Sequence, residues 1–231
     1  MGALGDVVSS EKEEMVDQEE IKRNVHDLAT RRWDTEGIQE RVATLQKEGV
    51  FRPKSSPQHM VAHKEAILNA VMVRAQEYEY LTHSCSKGSA LALMEAFGLG
   101  NTEIIRAMSP FPGFGMTGWI CGGVTGGLLA LGLYFGSDDV EDYEGNRRAM
   151  DAARDFIPRF ESVLGSVLCP KIQEEVIFGR YMDPRGSREK FEAFQAEKGY
   201  EKCTLPPGVG ARIGAEIIIE DMEKTVGSKE E

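Results

Sequence analysis

The chain is short of cysteine, histidine and tryptophan, with four, four and two among 231 residues. The cysteines, Cys85, Cys121, Cys169 and Cys203, stand far apart in sequence. That excludes a CxxCH site for covalent c-type haem and zinc-finger spacing, and it argues against a disulfide scaffold. Positive charge is scarce as well. Lys and Arg number 27 against 38 Asp and Glu, a net charge of −11. Such a balance disfavours nucleic acid and anionic membrane surfaces as partners and fits a soluble cytoplasmic protein. The start, MGALGDVVSSEKEE, has neither a basic nor an apolar signal-peptide region, and Asp6 stands where myristoylation needs Ser or Thr. No strand alternation, internal repeat, P-loop or Ser-His-Asp pattern occurs. The run GFGMTG lacks the preceding strand and following acid of a dinucleotide site.

What is present centres on Ala107 to Ser137, which holds nine glycines, Cys121 and no charged residue. A charge-free run of this length belongs in a core, a membrane or an interface. Its second half, Gly118 to Phe135, predicts a helix. Gly118, Gly122 and Gly126 recur every four residues as one smooth stripe, widened by Gly123 and Gly127. Each glycine weakens a helix by about 1 kcal/mol relative to alanine, so the stripe implies close approach by another backbone or a ligand. The acidic flank Asp138, Asp139 and Glu141, with no Lys/Arg cluster opposite, favours a buried soluble core over a membrane span.

The remaining pattern predicts an all-α fold: a helical bundle around the buried glycine-rich helix, with an N-terminal helical arm. Residues 1–55 form the charged arm and linker, 56–223 the four-cysteine domain, and 224–231 a loose tail. In the arm, Ser10 and Glu13 make a capping box for a helix to about Arg32, and a second helix spans about Glu36 to Lys47. Ser56 and Pro57 start a long helix through about Tyr80. A helix from Cys85 stops at Gly98, and Asn101 caps a short one. A helix from Val140 to Leu168 is expected to kink near Pro158. Ser187 to Lys198 ends at Gly199, Cys203 falls in a loop, and a last helix runs from Gly208 to about Glu223. Trp119, Phe111, Phe114 and Tyr134 are expected in the core.

Each of three cysteines has small neighbours: Gly88 and Ser89 follow Cys85, Gly122 and Gly123 follow Cys121, and Gly165 and Ser166 precede Cys169. The room they leave suits an inorganic cluster, a second sulfur or a packed backbone, but spacing alone favours a free cysteine acting as a small buried hydrophobe. The run RAMSPFPGFGMTGWICGGVTGGLLALGLYFG resembles the signature of the four-cysteine redox-active family called C_GCAxxG_C_C, whose core split-Soret cytochromes share. Cys85, then Cys121 through Gly126, then Phe160 through Gly165 and Ser166 to Cys169, then Cys203 fall in the family order. Gly123 replaces the usual alanine, and Lys87 brings a cation near Cys85. The likeness spans about Leu81 to Ile219 and leaves out the arm.

The resemblance implies a helical redox protein. Its first reading is iron–sulfur electron transfer, with Cys85, Cys121, Cys169 and Cys203 as ligands of a [2Fe–2S] or [4Fe–4S] cluster and Gly122 and Gly126 beside it. His83, two residues before Cys85, is a further candidate ligand. It also implies a redox partner protein and a homo-oligomer or complex subunit, with no role for nucleic acid. A second reading is thiol–disulfide exchange by a cysteine pair activated by Lys87 or a helix N-terminus. A third is a non-redox module with inert cysteines. His59 and His63, four apart, share a helix face and read as a partly exposed pair.

Overall fold

A computed structural model describes residues 18–49 and 55–227, and these are all-α. The capping box at Ser10 and Glu13 lies outside the described residues, as do 50–54 of the linker and 228–231 of the tail. Helix α1 is Gln18–Thr30 and α2 is Thr35–Glu48. The Asp34 side chain accepts from the Gly37 amide and caps α2. The two do not stand off in solvent. Ile21, Val25, Leu28, Ile38 and Leu45 are buried in the same core as the rest of the chain. Arg31 donates to Gln76 at 2.8 Å and Arg41 pairs with Glu77 at 2.7 Å.

The long helix expected from Ser56 is broken. It forms α3, Pro57–Ala62, and α4, Lys64–Thr82, with the break at His63 (φ −118, ψ 23). Ser56 caps α3 as its sequence indicates, accepting from the His59 amide at 3.2 Å. Helix α5 is Cys85–Phe97, closed by left-handed Gly98, and α6 is Thr102–Ala107, capped by the Asn101 side chain. An irregular turn, α7, spans Gly113–Met116.

The glycine-rich helix is α8, Gly122–Phe135, shorter than expected. Gly118 is left-handed (φ 82) and lies before the helix starts, with Ile120 in a bridge to Leu168, so Gly118 is not part of the stripe. Cys121 therefore caps the helix and does not sit inside it. Trp119 is 63 % exposed and Phe114 45 %, against the expectation that both pack the core. The extended segment that carries Trp119 pairs with Leu168 on only one side, which leaves the indole outward.

Helix α9 is Tyr143–Leu164, runs through Pro158, and stops four residues early because Gly165 takes the left-handed cap (φ 74). The turn α10, Cys169–Ile172, continues as a π turn over Gln173–Ile177. Then come α11, Arg188–Ala196, and α12, Gly199–Lys202. Gly199 opens this last turn instead of ending the previous helix. Cys203 closes α12, where a loop was expected. The final helix, α13, is Leu205–Gly227, with Pro206 and Pro207 in its first turn, where their missing N–H groups have no partner to lose.

Helix α8 lies at the centre, packed on α5, α13 and α9. Its glycines fall in two rows, one for each neighbour. On the α5 side, a Cβ added to Gly126 would overlap the Ser86 carbonyl and the Ser89 hydroxyl. On the α13 side, a Cβ on Gly123 would lie 2.6 Å from the Pro206 carbonyl oxygen, and one on Gly210 would overlap the Gly123 carbonyl. Both neighbouring backbones thus approach more closely than any side chain permits. Among the described residues no helix is long and apolar enough to cross a membrane.

Candidate functional site

All four cysteines stand at helix boundaries. Cys85 is the first residue of α5, after left-handed His83 (φ 51) and extended Ser84 end the preceding turn. Cys121 caps α8 in extended conformation, Cys169 opens α10, and Cys203 lies two residues before α13. Amides in the first turn of a helix have no helical partner and point outward, and the helix dipole adds partial positive charge there. At Cys85 the amides of Gly122 and Ser86 are donors that favour the thiolate.

Two of the segments are stitched together. The Cys121 amide donates to the Val167 carbonyl and the Cys169 amide to the Trp119 carbonyl, each at 2.8 Å. With the antiparallel bridge between Ile120 and Leu168, this sets Cys121 and Cys169 side by side. Gln173 fixes Cys169 further: its Nε2 donates to Sγ at 3.8 Å, while its Oε1 accepts from the Met182 amide at 2.7 Å.

Cys85 and Cys121 share a hydrogen bond, and it separates their acidities. That bond is the largest reason why Cys85 lies below an ordinary thiol. Burial opposes it, and the amides of Gly122, Ser86 and Cys85 itself assist. Cys121, the donor, is held well above an ordinary thiol by the same bond, then by burial and by the neighbouring Cys85 and Cys169 charges. Burial, followed by the charges of Cys85, Glu79 and Asp183, pushes Cys169 up to about 12. Burial also holds Cys203 well above its usual range, together with Cys169, Glu79 and Cys85, and Lys202 counteracts only in part. The four thiols therefore lie within electrostatic reach of one another, and Cys85 is the most acidic of them.

Glu79 belongs to the same group. It is buried on α4, and burial, then the charge of Cys85, drives its carboxyl far above the usual range against one bond from the Ser84 amide. Its Oε2 has no hydrogen-bond partner. Burial and an unpaired oxygen favour the protonated form of such a carboxyl. Nothing in the run Tyr78-Glu79-Tyr80 marks it out, because the helix pattern does not reveal which side meets α5.

Gly122 completes the site. A Cβ there would overlap the Cys85 sulfur and lie 2.6 Å from the Ser86 amide nitrogen. The position is glycine because a sulfur and a helix start occupy the space. Gly126, one turn on, faces the Ser86 carbonyl and the Ser89 hydroxyl of α5. His83 is exposed and its ring lies on Tyr200, with centroids 3.7 Å apart. Lys87, two residues after Cys85, is half-buried beside a cavity. His59 and His63 stack on each other at 4.2 Å on the surface of α3.

The donor chemistry of four thiols suits an iron–sulfur cluster. Among the described residues no three His, Cys, Asp or Glu side chains are spaced to hold a single metal ion.

The family model described as "Putative redox-active protein (C_GCAxxG_C_C)" matches residues 83–216. That interval contains all four cysteines and begins at His83. No curated protein and no solved structure matches the chain.

Proposed function

This chain belongs to the C_GCAxxG_C_C family of redox-active proteins, and from that premise we propose that Cys85 and Cys121 form its working dithiol. The observation that carries this reading is the placement of the Cys85 sulfur against Gly122, next to Cys121, where the two thiols interact so that Cys85 is the more acidic and Cys121 holds its proton more tightly. A nucleophile with depressed pKa beside a protonated second thiol is the arrangement that thiol–disulfide exchange requires.

In the direction that reduces a substrate, the Cys85 thiolate attacks one sulfur of a substrate disulfide. A mixed disulfide forms, and the other substrate sulfur leaves as a thiolate. Cys121 gives its proton to that thiolate and attacks the Cys85 sulfur. The Cys85–Cys121 disulfide closes and the second substrate thiolate departs. Two electrons pass from the protein to the substrate. The amides of Gly122 and Ser86 hold the Cys85 charge at the start, and burial keeps Cys169 and Cys203 protonated bystanders. The chain exchanges these electrons with a redox partner protein and works as a homo-oligomer or a complex subunit.

A second reading rests on the electrostatic influence that the four cysteines exert on one another. Two-cysteine exchange leaves Cys169 and Cys203 without a task. Under that reading Cys85, Cys121, Cys169 and Cys203 would hold an iron–sulfur cluster, which supplies one-electron transfer when bound. The outward amides of the helix starts would offset the charge of the four thiolates. His83, with its ring on Tyr200, has no part in either reading.

Anaerobic purification followed by iron and sulfide analysis separates the two. The dithiol reading predicts a colourless protein that takes up two oxidising equivalents and yields a Cys85–Cys121 disulfide on peptide mapping. A brown protein with stoichiometric iron and sulfide supports the cluster. A protein with neither property overturns both.

A further inference from the structure

Beside the start of α5 opens a cavity of about 910 Å³. Lys87, Arg185 and Arg188 line it, and no Asp or Glu does. Carboxylates outnumber cations in this chain by 38 to 27, so a wall with three cations and no carboxylate runs against the composition. Neither Lys87 nor Arg185 forms an ion pair among the described residues; Arg188 bonds Glu192 at 2.9 Å.

The same cavity has an aromatic side. His83 lies flat on Tyr200, their planes 16° apart, and Phe191 meets Tyr200 edge-on at 6.5 Å. Its rim also carries strain. His83 (φ 51) and Met116 (φ 62) both line it in the left-handed region that non-glycine residues avoid. Strained backbone of this kind persists where surrounding structure enforces it and gathers at ligand clamps.

We propose that this cavity binds a small organic anion bearing a planar ring, the chemistry of a nucleoside monophosphate. Guanidinium and ammonium groups are the usual partners of phosphate oxygens, and ring faces stack on aromatic side chains. The volume falls within the range of about 300–1,000 Å³ typical of small-molecule sites. The proposal does not depend on thiol chemistry, so binding to the Cys85→Ser protein is expected to equal binding to the native chain.

The test is calorimetric titration of the full reduced chain with AMP, adenosine and inorganic pyrophosphate. Adenosine supplies the ring without charge, and pyrophosphate the charge without the ring. AMP is expected to bind more tightly than either, with affinity falling as salt rises. The double variant Lys87→Met/Arg185→Met should weaken AMP by about tenfold or more. His83→Asn keeps a residue that tolerates the left-handed backbone and should weaken AMP while leaving pyrophosphate unchanged. Absence of AMP binding at millimolar concentration overturns the proposal. So does adenosine binding as tightly as AMP, pyrophosphate binding as tightly as AMP, or a folded double variant with native affinity.

Discussion

The sulfur of Cys85 occupies the place where a Cβ on Gly122 would stand. The glycine that starts α8 is thus the floor of the thiolate site, and its amide is one of the donors that lower the Cys85 pKa. Gly122→Ala should push the sulfur out of line with that amide. The Cys85 titration is expected to move up towards the ordinary thiol value, with a stability loss of about 1–3 kcal/mol from overpacking. Iodoacetamide alkylation as a function of pH reads the first effect, and thermal melts read the second. An unchanged alkylation profile would show that the glycine serves packing alone.

One turn along, Gly126→Ala should destabilise by about 1–3 kcal/mol, because the new methyl meets the Ser86 carbonyl and the Ser89 hydroxyl. Gly132 on the same helix is the control. It is exposed with nothing within 4 Å of a Cβ, so Gly132→Ala should stabilise by up to about 1 kcal/mol through helix propensity. Melts that move both variants in the same direction would contradict the assignment of the two glycine rows.

Cys85 should be the first thiol to alkylate as pH rises, below the ordinary cysteine value of about 8.5. Cys121, Cys169 and Cys203 should stay unmodified under the same conditions. Cys121→Ala removes the hydrogen bond that is the largest cause of the low value, so Cys85 reactivity should shift to higher pH. Peptide mapping by mass spectrometry identifies the labelled residue. Label appearing first on Cys169 or Cys203 would reverse the assignment of nucleophile.

Glu79 gives a stability signature with a definite sign. Its folded pKa lies well above that of the unfolded chain, about 4.3. The folded state therefore holds the proton more tightly. This contribution is fully present below about pH 4.3 and is lost as pH rises through the folded value. Glu79→Gln cannot ionise and should flatten that loss, leaving the variant more stable than the native chain at alkaline pH. Denaturant midpoints across pH 4 to 9 measure it. Identical profiles for the two proteins would mean that Glu79 ionises freely.

The all-α class was legible because it rests on local signals. Ser56, Asn101 and Ser187 each cap the helix that follows, and left-handed Gly98 closes one. Capping depends on three or four adjacent residues, which the sequence places together. The order of the four cysteines and the burial of the glycine-rich helix were readable for similar reasons. The start of that helix was not. Gly118 and Gly122 have the same spacing as two residues on one helical face, yet Gly118 is left-handed and Ile120, between them, bridges to Leu168. That pairing joins residues 48 apart and leaves no periodic trace in either segment. It also turned Trp119 outward, since composition alone sends an indole to the core.

What the sequence determined by itself was the inventory: helices, their caps, a charge-free glycine helix and four separated thiols. Tertiary structure decided the chemistry of that inventory. Only the packing of α8 on α5 makes Cys121 the donor to Cys85 and lets one thiol titrate low while the others titrate high. Only the fold of α4 against them buries Glu79 beside them. Hydrogen bonding and burial set these acidities, and both depend on neighbours distant in the chain, which no local pattern encodes.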